Sequence, residues 1–79
     1  MSTGTEIEQI IEEAYIDCVN HYTIIHGERE SNIERVSYLS AQDYMAKYPA
    51  RDFAFTRDFL AGAIFQRYME WFKKWEETG

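Results

Sequence analysis

Apolar residues recur along most of this chain at the spacing of one helical face. At about 100° per residue, Leu60, Ile64, Tyr68, Trp71 and Trp75 share a stripe within Phe59 to Trp75, with Ala61 and Phe72 beside it. Gln66, Glu70 and Lys73 fall on the far side. A strand would alternate its faces every second residue, so this pattern predicts a helix. All five phenylalanines and both tryptophans lie between Phe53 and Trp75. Each buried aromatic removes roughly 150–250 Å² from water, so this segment is expected to supply most of the core. Ala61-Gly62-Ala63 strips side-chain bulk from its first half. Glycine inside a helix costs about 1 kcal/mol against alanine. A crossing point where another backbone packs close is the ordinary reason to accept that cost, and a hinge is the sharper one.

The first segment carries the same period. Ile7, Ile10, Ile11, Ala14, Cys18, Tyr22 and Ile25 form its stripe. Thr5-Glu6-Ile7-Glu8 reads as a capping box, in which the Thr5 hydroxyl and the Glu8 carboxylate satisfy each other's backbone amides. Gly27 stands where a left-handed C-terminal cap belongs. These signals predict a helix over residues 5–26. Tyr22-Thr23-Ile24-Ile25 favours strand locally, so the helix could instead stop near Asn20, with a small hairpin in 21–39 built from 21–26 and 34–39.

Between the long segments lie two more start signals. Ser31-Asn32-Ile33-Glu34 opens a short helix over 32–39, and Ser40-Ala41-Gln42-Asp43 opens another over 41–48. Pro49, the single proline, ends the latter, because the residue before a proline is pushed out of the helical region. Asp52 or Thr56 could cap the last helix; a regular helix from Asp52 would turn Arg57 onto the apolar stripe, which favours a later start near Thr56 or an Arg57 paired with a carboxylate. The expected fold is therefore all-α, a compact domain of three to four helices filling residues 1–79, with the α+β hairpin form as the alternative.

Charge changes the picture most. The chain has 79 residues and a net charge of −6. Glu6, Glu8, Glu12, Glu13, Asp17 and Glu28 stand in residues 1–28 without a single Lys or Arg, and acids and bases cancel in the remainder. The whole excess sits on the first helix. Such a surface repels nucleic-acid phosphates and attracts basic partners. In projection, Glu6, Glu13, Asp17 and Asn20 form one ridge beside the core stripe, and Glu8 and Glu12 form another. Ile16 lies between them, with Val19 and Thr23 adjacent. An apolar strip framed by carboxylates has the anatomy of an interface, although a solvated face with one exposed isoleucine is the plainer reading.

Other chemistry finds little support. Cys18, His21 and His26 fall short of the four ligands of a structural zinc site. Cys18 sits at the centre of the apolar stripe, where it reads as a small hydrophobe rather than a nucleophile. No metal, cofactor or catalytic group is expected, and the chain reads as no enzyme. Arg51, Arg57, Tyr48 and Phe55 could form a stacking face for nucleic acid, and Ser40 to Arg67 has a helix–turn–helix flavour. The charge there is balanced, which argues against direct nucleic-acid binding. No apolar run approaches the ~20 residues of a membrane span. No signal peptide is recognisable, and one cysteine suits a reducing compartment, so the cytoplasm is the expected location.

These features describe a small acidic protein-binding module. The expected partner is a protein with a basic surface, one whose ordinary ligand is nucleic acid, met through Glu6, Glu13, Ile16, Asp17 and Asn20. In size and charge alone the chain resembles phage-encoded inhibitors of host defence, such as anti-CRISPR proteins, as well as antitoxins and adaptor subunits. A homo-oligomer is the second expectation, because Phe55, Phe59 and Met69 fall outside the main stripe and a chain this short buries only about 60–65% of its unfolded surface. A DNA-binding regulator is the third.

Overall fold

The computed structural model describes residues 3–25, 27–53 and 55–78, with backbone alone for residues 3–5 and 76–78. Three helices account for the regular structure among the described residues: α1 (Thr3–His21), α2 (Glu30–Ala46) and α3 (Arg57–Thr78). The fold is all-α. Residues 34–39 are helical, so the alternative hairpin does not form.

The helix boundaries follow tertiary contacts more than local start signals. α1 ends at His21, where the Tyr22 amide closes the last turn on the Cys18 carbonyl at 2.8 Å. It does not run to residue 26. The β-branched run after Tyr22 resists further winding, and two side chains reward leaving the helix. The Tyr22 hydroxyl donates to Asp43 Oδ2 on α2 at 3.2 Å, and Ile24 packs half-buried against the core. Gly27 has φ 90°, the left-handed conformation expected of it, but in the connecting turn rather than at the helix cap. The helix begins at Thr3, so residue 5 lies inside it and cannot be its cap; the Thr5 side chain lies outside the described residues.

The two short helices expected over 32–39 and 41–48 are one continuous helix, α2. Its N-cap is Arg29, which makes no side-chain cap bond, so the box at Ser31 goes unused. Ser40-Ala41-Gln42-Asp43 lies within the helix. Ser37, Ser40 and Ala41 are buried there, small side chains on the face that meets the other helices. Serine at such a position resembles a cap in sequence but serves close packing. The helix stops ahead of Pro49, with Lys47 as its C-cap.

α3 starts as expected. Thr56 Oγ1 accepts from the Phe59 amide at 3.1 Å, and the Thr56 carbonyl from the Leu60 amide at 3.1 Å, a side-chain N-cap followed by the first helical bond. The Arg57 side chain leaves the core face and stacks over the Tyr38 ring, 4.8 Å from its centroid.

One core joins the three helices. α1 supplies Ile10, Ile11, Ala14 and Cys18, α2 supplies Ile33, Val36, Ala41 and Tyr44, and α3 supplies Leu60, Ala61, Ile64, Tyr68 and Phe72. α3 therefore shares the core evenly with its neighbours instead of dominating it, and it packs chiefly on α2. Gly62 is no crossing point: it is exposed, and a Cβ added there would meet nothing within 4 Å.

The main correction concerns the end of the α3 stripe. Leu60, Ile64 and Tyr68 are buried, whereas Trp71 is 37% and Trp75 55% exposed. Their azimuth is right, but both indoles remain partly exposed. α3 is about 33 Å long, the chain measures 41 × 26 × 18 Å, and the shortest extent is roughly two helix diameters.

Candidate functional site

The five residues predicted to meet a partner do not form one patch. Glu13 and Asp17 border the seam between α1 and α2. Glu13 Oε1 accepts from the Tyr44 hydroxyl at 2.8 Å, and Asp17 Oδ2 pairs with Lys47 Nζ at 2.6 Å. Asp43 adds a carboxylate to this seam from α2, beside Asp17, Tyr44 and Lys47. The bond from Asp17 holds the Lys47 ammonium above the usual lysine range. Glu6 and Asn20 project into water. Two of the four ridge residues thus help fasten α1 to α2 while keeping oxygens at the surface.

Ile16, 47% exposed, points away from this ridge. It lines a cleft of about 440 Å³ between α1 and α3, with Tyr15, Val19, Ile24, Tyr68 and Trp71. α1 packs less closely on α3 than α2 does. Its floor is the edge-to-face pair Tyr15–Tyr68, with ring centroids 5.1 Å apart. Trp75 stands one turn beyond Trp71, with their ring centroids 6.4 Å apart. A second depression of about 490 Å³ shares Tyr15 and Trp71 with the first and is lined by Arg67, Glu70, Lys73 and Lys74. Arg67 pairs with Glu12 across the helices.

Sequence projection placed Ile16, Val19 and Thr23 on an outward face and missed the α3 half of the cleft. Trp71 and Trp75 had been assigned to the core.

Cys18 is fully buried, with Sγ accepting from the Tyr68 hydroxyl at 3.4 Å. Burial, only partly offset by that bond, pushes the thiol above its ordinary range, so a reactive thiolate is disfavoured. Burial also raises the Tyr68 hydroxyl, aided by the bond to Cys18. His21 Nδ1 lies 3.2 Å from the Asp17 carbonyl oxygen, at the rim of the α1–α2 seam, and His26 lies outside the described residues. Among the described residues no group of three His, Cys, Asp or Glu side chains is placed to hold a metal ion.

The arginine–aromatic face is divided as well. Arg51 lies over Phe53 and Tyr48, 5.1 and 6.0 Å from the ring centroids, while Arg57 is occupied by Tyr38 on another surface. α2 and α3 are joined by residues 47–56, far longer than the three- or four-residue turn of a helix–turn–helix. Among the described residues no helix is long and apolar enough to cross a membrane. No protein-family model, no curated protein and no solved structure matches this chain.

Proposed function

We propose that this chain is a non-enzymatic protein-binding module that docks on a basic surface of a partner through α1. One observation carries this reading. The entire net charge of −6 resides in residues 1–28, nearly all of it along a single exposed helix. Unlike charges on opposing surfaces accelerate encounter and select partners more than they add raw affinity. A partner surface basic enough to be selected this way is of the kind that ordinarily binds nucleic acid. Occupying it would exclude the nucleic acid sterically, which is the action of an inhibitor of the phage anti-defence kind. Glu6, Glu13 and Asn20 are the contacts at the ridge, and Asp17 contributes while remaining paired with Lys47.

The test is capture from nuclease-treated lysate with the tagged chain, followed by competition with the captured protein's own nucleic acid. Glu6→Lys with Asn20→Lys is the informative variant; Glu13 and Asp17 are left alone because their reversal would also break the bonds to Tyr44 and Lys47. The expected result is a basic protein that loses its nucleic acid as the chain is added, and that the variant no longer holds at low salt. Unchanged capture by the variant, or a captured protein that still binds nucleic acid normally, defeats the reading.

A further inference from the structure

The three helices are not held equally. α2 and α3 pack closely on each other, and α1 packs less closely on either of them. The side chains that α1 encloses completely, Ala14 and Cys18, are small. The large side chains enclosed completely, Tyr44, Ile33, Leu60 and Ile64, belong to α2 and α3. Apolar area removed from water is the main term that fastens one helix to another, so α1 has the smaller share of it.

The polar ties of α1 do not make up the difference. Glu12 reaches Arg67, Glu13 the Tyr44 hydroxyl and Asp17 the Lys47 ammonium, each from a carboxylate that meets water. Exposed ion pairs add little to stability. The connection from α1 to α2 carries no helix or strand among its described residues. α2 and α3, by contrast, keep ties of their own. The rings of Tyr44, Phe53, Phe55 and Phe59 run in series from α2 through the connection to α3, with centroids 6.2, 5.6 and 5.5 Å apart. Arg57 of α3 stacks over Tyr38 of α2. These ring contacts do not involve α1, so they persist without it.

We propose that α1 is a docked arm, which leaves the α2–α3 pair as one unit while that pair stays folded. Proteins open in such cooperative units, and the elements with the fewest buried apolar contacts open at the lowest cost. The opening brings Ile10, Ile11, Ala14 and Cys18 into water and separates Glu12 and Asp17 from their cations. The helix that carries the net charge is then also the element held least firmly. This is a property of the free chain and does not depend on the proposed docking function.

The test is native-state hydrogen exchange at neutral pH in a series of low urea concentrations, resolved by residue, with alkylation of Cys18 alongside. The slowest amides of α1 are expected to share one opening equilibrium, about tenfold more populated than that of the slowest amides in α2 and α3. Its dependence on urea is expected to be shallower than theirs, because the α2–α3 pair keeps its surface buried. Cys18 is expected to label in proportion to the α1 opening. One rate and one urea slope shared by all three helices overturn the proposal, since the chain then opens only as a whole. So do α1 amides that exchange one by one without dependence on urea, which is fraying, or a Cys18 that labels only in proportion to the opening of α2 and α3.

Discussion

The Tyr44 hydroxyl of α2 donates to Glu13 of α1 at 2.8 Å, across the seam that fastens the first helix to the rest of the chain. The Tyr44 ring is buried while the carboxylate reaches water, so one end of the bond sits in the core and the other on the acidic ridge. Burial, then the bond to Glu13 and its charge, push the Tyr44 hydroxyl up to about 12.

That shift fixes a direction for alkaline stability. The folded pKa lies above the unfolded value of about 10. The contribution of Tyr44 is therefore whole below about pH 10 and is lost as pH rises towards 12, because the unfolded chain ionises first. Urea unfolding at a series of pH values should show stability falling above about pH 10, and less steeply in Tyr44→Phe. At neutral pH the same variant should cost about 1 kcal/mol, the net worth of a typical hydrogen bond.

Ser37 Oγ is buried and has no hydrogen-bond partner among the described residues. An unsatisfied buried hydroxyl costs about 1–3 kcal/mol, and alanine is the better helix former. Ser37→Ala should raise the thermal midpoint, read by circular dichroism. A fall would mean that the hydroxyl is paired in solution.

Gly62→Ala should stabilise by about 0.5–1 kcal/mol, since the position is inside α3, exposed and free of neighbours for an added Cβ. For a chain of this size that corresponds to a rise of several degrees in the thermal midpoint. A destabilised variant would indicate that something packs on this glycine after all.

Cys18 should resist alkylation in the native chain at neutral pH and react only as fast as the core opens. Burial hides the sulfur and raises its pKa. Rapid labelling under native conditions, followed by mass spectrometry, would contradict its place in the core.

Much of the fold was legible because helical period is a local property. The stripes through Ile10, Ile11, Ala14 and Cys18, and through Leu60, Ile64 and Tyr68, were visible as spacings and are buried as such. The Thr56 cap was legible for the same reason, since a hydroxyl and an amide three residues on need nothing else to find each other. The start signals at Ser31 and Ser40 misled. Once Ser37, Ser40 and Ala41 are pressed into the core, packing energy along one long helix outweighs the roughly 1 kcal/mol of a cap. The candidate site was half legible: Ile16 and Val19 were placed on an outward face, but the cleft needs α3 opposite them, and no spacing within α1 reveals that.

The sequence by itself determined the azimuth of the apolar stripes on the first and last helices and the confinement of net charge to residues 1–28, and it favoured an all-helical fold over the form with a hairpin. Each depends only on 3.6 residues per turn or on counting charges. Tertiary structure decided the rest: that α1 ends at His21, that α2 is one helix, that Glu13 and Asp17 face α2 while Ile16 lines the cleft with α3, and that Trp71 and Trp75 are only partly buried. Periodicity sets the direction in which a side chain points. Only the position and length of the neighbouring helices decide whether anything is there to cover it.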